Sequence, residues 1–358
     1  MKILLTSVDT KRPGGVSNFV KLLSKDFIKK DIDVSYFEVG KPEDFKFLFF
    51  TPILIFFQLF KFRNKIKNEK PDIVFLHPSL KWASILRDFL FQHIAYSLGT
   101  PVSLFIHGWD DEIEKLYGKG CFLENFFCKN FNKSSKIFVL SEEFRVSLIK
   151  LGVPGSKITL SSPMIKHVDY KPEKKFSIKY KVLLFCGNII REKGIFLFLD
   201  SLKDLIKVNP YVKAIFVGGG KDIKLLKEQA HQEGLANTVL ITGYVSNELK
   251  KSIFKKSDLF VFPSFYGEGF PAVVIEAMAS GLPLVCSKKA ALKNMITDGV
   301  NGYHIDTLSA SNISSKINTL ISNSSNFNKI SAFNVQDSLK YDIDSVCNNI
   351  LLKLKTSI

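Results

Sequence analysis

"KVLLFCGNIIREKGIFLFLDSL", residues 181–202, sets an apolar run, a turn and a helical pattern end to end. Residues 181–187 form a near-continuous apolar run of strand length. That fits a strand buried on both faces better than one with a wet face. The turn then opens a helix. A strand that hands over to a helix in this way is half of a βαβ unit and calls for a parallel sheet. The alternation repeats on both sides of this stretch. Toward the N-terminus, "KILLTSV" (2–8), "DVSYFEV" (33–39), "DIVFLH" (72–77), "PVSLFIHG" (101–108) and "KIFVLS" (136–141) read as strands with helical patterns between them. Toward the C-terminus, "VKAIFVGGG" (212–220), "TVLITGYV" (238–245), "LFVFPS" (259–264) and "PLVCS" (283–287) do the same. The polar, Lys-rich stretch "SSPMIKHVDYKPEKKFSIKY" (161–180) separates the two series and reads as a linker. The pattern predicts an α/β fold of two doubly wound, Rossmann-like domains, 1–168 and 178–333, facing a central cleft. A C-terminal helix, 334–358, would pack back on the first domain. A ligand in such a pair binds at the carboxyl ends of the strands.

Bulk numbers narrow the classes. The 358 residues suffice for two domains, and the balance of 46% hydrophobic to 23% charged residues is that of a globular protein. Two biases stand out, 33 Phe and a formal net charge of +16. A basic chain seeks nucleic acid, an anionic membrane surface or phosphorylated ligands. Nucleic acid is disfavoured: there is no zinc-finger spacing, no aromatic RNA-binding signature and no basic helix followed by heptads. The five cysteines form no CxxC and are odd in number, which fits reduced thiols in a cytoplasmic protein. The N-terminus reads as a first strand rather than a signal peptide, and no apolar run is long enough to span a bilayer.

The chemistry concentrates in "FYGEGFPAVVIEAMASGLP", residues 265–283. Glu268 and Glu276 stand there without another charge, and a buried, unpaired carboxylate is costly. A helix starting at Pro271 would present the N–H groups of Ala272 and Val273 as an anion site, with Glu276 one turn below on the same face. On spacing alone two readings stay open. Either Glu276 pairs with a lysine from a neighbouring element and Glu268 is a turn residue, or both await a ligand.

The stretch resembles the E-x7-E signature of retaining GT-B glycosyltransferases, family 4 in particular, with flanking F-P-S, E-G-F and E-A-M-A-S-G-x-P also in place. The resemblance implies that Glu276 binds the ribose hydroxyls of a nucleotide-sugar. It also implies that Glu268, Gly269 and Phe270 meet the sugar, and that Ala272 and Val273 hold the diphosphate. Residues 185–202 resemble the family's G-R-x-x-x-x-K-G segment, whose Arg and Lys neutralise that diphosphate. Gly187, Lys193 and Gly194 match; Asn188 stands where arginine is usual, and Arg191, three residues on, substitutes for it if the loop directs it inward. Gly218 in "VGGGKD" (217–222) and Val245 in "TGYVS" (242–246) fall near the nucleotide.

In the first half, "KRPGGVSNFVKLL" (11–23) resembles the family's P-G-G-V loop, whose backbone approaches the reacting centre. It nominates Gly14, Gly15 and Asn18. His107 ends a strand in "PVSLFIHGWDDE" (101–112) and matches a position beside the donor sugar. Asp110 and Asp111 would hold it or bind the acceptor, and His77 is a similar strand-end residue. The resemblance implies retention of anomeric configuration with no metal or other cofactor. The leaving diphosphate itself helps to deprotonate the attacking hydroxyl, while Glu268 positions rather than attacks.

The stretch "FKFLFFTPILIFFQLFKFRNKIKNEK" (45–70) has two readings: a helix in an anionic membrane interface, or a core helix of the first domain. The expected partners are a nucleotide-sugar donor, a glycan or lipid-linked acceptor and an anionic membrane. The protein would be cytoplasmic, peripheral on the inner face of the plasma membrane. Two alternatives remain: a catalytically silent membrane-bound subunit of a glycan assembly complex, and a nucleotide-sugar epimerase. A dinucleotide-dependent dehydrogenase is disfavoured because no G-x-G-x-x-G follows the first strand.

Overall fold

The computed structural model describes residues 1–7, 15–39, 51–78, 82–108, 122–173, 180–265, 269–289, 291–305 and 309–358. The chain forms two compact units, one of residues 1–164 and 343–358, the other of residues 165–342.

The first unit runs β1 (Lys2–Ser7), α1 (Gly15–Lys29), β2 (Asp33–Glu38), α2 (Thr51–Glu69), β3 (Ile73–Leu76), α3 (Trp82–Ser97), β4 (Val102–Ile106), α4 (Phe122–Lys133), β5 (Lys136–Val139), α5 (Glu142–Lys150) and β6 (Ile158–Leu160). Its strands form one six-stranded sheet, in order β2-β1-β3-β4-β5-β6, with every pairing parallel. The inner strands β3 and β4 are buried at every residue, and the edge strands β2 and β6 carry exposed positions. Apolar continuity thus follows position in the sheet, as layers covered on both faces require.

The second unit runs β7 (Lys181–Cys186), α6 (Ile195–Val208), β8 (Val212–Val217), α7 (Ile223–Gln232), β9 (Val239–Gly243), α8 (Asn247–Lys256), β10 (Leu259–Phe262), α9 (Ala272–Ala279), β11 (Leu284–Ser287), α10 (Ala291–Met295), β12 (Gly302–Ile305), α11 (Ala310–Ile321) and α12 (Ser324–Asp337). Its six-stranded parallel sheet has the order β12-β11-β10-β7-β8-β9. Chain order reverses between β1 and β3 in the first unit and between β7 and β10 in the second. Open α/β sheets bind their ligands at the carboxyl ends of the strands flanking such reversals.

Three local expectations need correction. The edge strands β6 and β12 lie outside the strands read from the sequence, because they are short and only partly buried. The C-terminal stretch is not one helix. α12 ends at Asp337, a 3-10 turn covers Ser338–Tyr341, and α13 (Ile343–Lys355) then packs in the first unit, where Lys30 Nζ lies 3.7 Å from Asp344. The linker segment is partly docked in the second unit: Lys251 Nζ donates to Asp169 at 2.7 Å, and the Ile165 N–H donates to the Tyr341 carbonyl at 3.1 Å. Among the described residues, no helix is long and apolar enough to cross a membrane.

Candidate active site

In the second unit, the loop after β7 is locked to the end of β10. A 3-10 turn, Arg191–Lys193, delivers the chain to Gly194, whose φ is +71°. A Cβ there would sit 2.3 Å from the carbonyl oxygen of Pro263, so only glycine fits. The Phe265 N–H donates to the Glu192 carbonyl at 3.1 Å and closes the same junction. Lys193 is thereby held inside. Its ammonium lies 5.6 Å from the centre of the Phe262 ring, and burial lowers its pKa to about 8. Arg191 is exposed, with its guanidinium 4.7 Å over the Phe196 ring, and its backbone N–H donates to Asp222 Oδ2 at 2.7 Å. Asn188 is exposed on the same loop.

The loops after β7, β8 and β9 are stitched backbone to backbone. Gly187 donates to Val217 at 3.0 Å, Ile189 to Gly219 at 2.7 Å and Gly218 to Gly243 at 3.0 Å. Gly218, at φ +136°, approaches so closely that a Cβ would lie 1.9 Å from the Gly187 oxygen. The Tyr244 ring lies across Gly219 with its outer face open, and Val245 packs against the core beside it.

Helix α9 starts one residue later than expected. Pro271 is its cap residue rather than its first turn, and no side chain caps it. Phe270 packs edge-on against Tyr341 at 5.6 Å, Gly269 is buried, and Ala272 and Val273 are half-buried. One turn on, Glu276 is 7% exposed. Its Oε1 accepts a hydrogen bond from Lys250 Nζ of α8 at 2.7 Å, whereas its buried Oε2 has no hydrogen-bond partner among the described residues. The carboxylate is felt by its neighbours. Burial first, then the Glu276 charge, pushes the Cys186 thiol up to about 12; burial, the Glu276 charge and a side-chain contact with that carboxylate raise the Tyr170 phenol. Glu276 therefore lies by the end of β7, at the strand reversal. A neighbouring lysine thus takes one oxygen, as the first sequence reading expects, and the other makes no hydrogen bond among the described residues. Glu268 lies outside the described residues.

In the first unit, His77 and His107 follow the adjacent strands β3 and β4. His77 Nδ1 and His107 Nε2 are 2.9 Å apart. Phe19, Phe75 and Phe105 enclose the pair, the Phe105 ring stacking on His107 at 4.5 Å. Burial holds both imidazoles neutral, His107 down to about 3 and His77 well below its ordinary value, where the His107 charge adds to the effect. One proton therefore lies between the rings, and His77 Nε2 is buried without a partner among the described residues. Gly15 and Asn18 are exposed at the start of α1, and no described atom lies within 4 Å of a Cβ built on Gly15. Gly14, Asp110 and Asp111 lie outside the described residues.

The predicted residues that the structure describes thus gather as two groups at strand carboxyl ends, one in each unit. Lys250 and Tyr170 were missed. Lys250 is one of several lysines along α8, and nothing local marks it out. Tyr170 sits in the presumed linker.

Comparison with known families decides the class. The family Glycosyl transferases group 1 matches residues 169–334, and Glycosyltransferase Family 4 matches residues 13–166. The chain belongs to glycosyltransferase family 4. Among relatives of this chain, a Bacillus subtilis glycosyltransferase named for teichuronic acid biosynthesis is 27% identical over 242 residues, 64% of this chain and 57% of its own length. An uncharacterized glycosyltransferase of Methanocaldococcus jannaschii is 26% identical over 163 residues, 46% of this chain and 41% of its own. The chain thus matches about half the length of these two relatives. The lipopolysaccharide 1,2-N-acetylglucosaminetransferase of Salmonella typhimurium is 20% identical over 312 residues, 81% of this chain and 75% of its own. The fold of Anabaena HepE, solved in complex with UDP and glucose, superposes with a TM-score of 0.75 at 18% identity, covering 99% of this chain and 100% of the other. The two-unit α/β architecture is accordingly the GT-B fold.

Proposed function

We propose that this transferase moves a sugar from a nucleotide-diphosphate sugar to a glycan or lipid-linked acceptor in bacterial-type surface polysaccharide synthesis, with retention of anomeric configuration and no metal ion. The observation that carries the reading is Glu276: buried beneath the uncapped start of α9 and beside the Tyr170 phenol, with one oxygen held by Lys250 and the other without a hydrogen bond among the described residues. A bare buried carboxylate oxygen is an acceptor waiting for hydroxyl donors, and a ribose diol supplies two. The α9 N-terminus and the Lys193 ammonium supply positive charge for the diphosphate, which gains negative charge as the glycosidic bond breaks. These groups do the electrostatic task that a metal performs in other transferases, which supports a metal-free reaction. In this scheme Gly187 and Gly218 bring backbone close to the nucleotide, Val245 flanks the base, and Glu268 with Phe270 orients the sugar. In the first unit, His107 at the end of β4 and Gly15 with Asn18 at the start of α1 serve the acceptor side. The diphosphate oxygen takes the proton of the attacking hydroxyl on the same face of the sugar. Relatives named for teichuronic acid and lipopolysaccharide assembly support the pathway class, and HepE, solved with UDP, supports the donor class. The proposed location is the cytoplasm, peripheral on the inner face of the plasma membrane.

The test is binding of nucleotide-sugars, screened by thermal shift. A ligand of the folded state raises the midpoint, and Glu276→Ala is expected to abolish most of that rise. An undiminished rise in Glu276→Ala removes the ribose role. The alternative of a catalytically silent subunit draws on Asn188 and on Arg191 lying over Phe196; donor hydrolysis by the purified protein decides against it.

A further inference from the structure

The Phe-rich stretch resolves into two faces. α2 buries Phe62 against Phe37 and Phe91, at 5.0 and 4.6 Å between ring centres, together with Ile66. Its opposite face leaves Phe56, Phe57 and Phe60 exposed by 68%, 56% and 57%. Phe56, Phe60, Arg63 and Lys67 follow at helical spacing, so they form one stripe, apolar in its first half and cationic in its second. The stripe runs about 16 Å along the helix at 1.5 Å per residue. Lys61, Arg63 and Lys67 are exposed and make no ion pair among the described residues.

The neighbouring helices extend the apolar half. Phe91 of α3 packs on α2, and Phe89 of α3 packs on Phe127 and Phe131 of α4, so the three helices lie side by side. Leu90 of α3 and Phe122 of α4 are exposed by 46% and 80%. Helices of parallel crossovers run back along the sheet, so their first turns lie at the strands' carboxyl ends. Phe56, Leu86 and Phe122, all early in their helices, therefore share that end of the sheet with His77 and His107. An exposed apolar patch of this extent calls for an occupant.

We infer that this face docks on an anionic phospholipid surface, with the Phe side chains of α2 in the acyl boundary and Lys61, Arg63 and Lys67 at the phosphates. The cationic half, on a chain of net charge +16, is what selects lipid over an apolar protein partner. The docked face would bring the histidine end of the unit to the membrane, where an amphiphilic acceptor presents its head. The purpose of docking rests on the lipid-linked acceptor proposed above, but the docking itself does not, and its test needs no sugar.

The full chain is mixed with phosphatidylcholine vesicles, with and without phosphatidylglycerol, and sedimented. Binding is expected only with the anionic lipid, falling as salt rises. The triple variant Phe56→Ser/Phe57→Ser/Phe60→Ser should lose at least tenfold in partitioning. Lys61→Gln/Arg63→Gln/Lys67→Gln should lose about fivefold per charge. Thermal midpoints and the shift with nucleotide-sugar are measured on the same samples. Variants that keep the nucleotide response but leave the vesicles support the proposal, and a wild-type protein that ignores nucleotides but binds vesicles defeats only the donor reading. Equal binding by wild type and the Phe variant overturns the proposal. So does a dimer in solution that the Phe variant dissociates, since the occupant is then a second copy.

Discussion

Replacing Lys193 by Met separates what the site contributes to stability from what it contributes to binding. Burial moves this lysine from 10.5 to about 8. Each pKa unit is worth about 1.4 kcal/mol, so keeping the ammonium charged inside the folded chain at neutral pH costs about 3 kcal/mol. The sign follows from proton counts. Between pH 8 and 10.5 the unfolded chain holds a proton that the folded chain has lost, so stability rises with pH across that window and is lowest below it. Methionine keeps the length of the side chain and removes the charge, so Lys193→Met should be more stable by up to about 3 kcal/mol, several degrees in midpoint for a unit of this size. Binding moves the other way. A charge-assisted hydrogen bond to phosphate is worth about 1.5–3 kcal/mol, so the variant should hold a nucleoside diphosphate about 10- to 150-fold more weakly. Wild-type affinity should fall about tenfold per pH unit above 8, as the ammonium is lost before the ligand arrives. Calorimetric titration from pH 7 to 10, beside thermal melts, reads both effects. A wild-type affinity that is flat across that range, or a variant that binds the diphosphate as well as wild type, refutes the reasoning.

Three further outcomes follow from the geometry. Gly218→Ala forces a Cβ against the Gly187 oxygen at a left-handed φ, and should destabilise the protein by about 3 kcal/mol in a denaturant melt. Lys250→Gln leaves the buried Glu276 without its cation and should cost about 1.5–3 kcal/mol by the same measure. His77→Asn keeps a donor near the place of Nδ1 and should retain most of the transfer rate, whereas His77→Leu frees the His107 ring and should lower kcat more than it raises KM. Long-range nitrogen–proton spectra should find a single His107 tautomer in wild type and a mixture in His77→Leu.

The sequence was most legible where one physical demand acts alone. Strands buried on both faces must be apolar throughout, so β3, β4, β7 and β10 declare themselves, while β6 and β12 at the sheet edges are too short and too mixed to do so. Glycine loops were legible because backbone crowding leaves no room for a Cβ at Gly194 and Gly218. Pairings across the fold were not legible. His77 and His107 are thirty positions apart, and only the adjacency of β3 and β4 brings their nitrogens to 2.9 Å. Lys250 reaches Glu276 from another helix, and any of its neighbouring lysines reads the same in one dimension. The Phe-rich stretch announced an unusual helix, but its outward face emerged only once Phe62 and Ile66 were seen packed inside.

The central claim is that the bare oxygen of Glu276 receives ribose hydroxyls, and one comparison addresses it directly. The tightest-binding nucleoside diphosphate and its 2′,3′-dideoxy analogue are titrated into wild type and Glu276→Ala. Wild type should prefer the ribose form by at least about tenfold, the value of one charge-assisted hydrogen bond, and the variant should bind both forms alike. The same preference in both proteins, or none in wild type, contradicts the assignment.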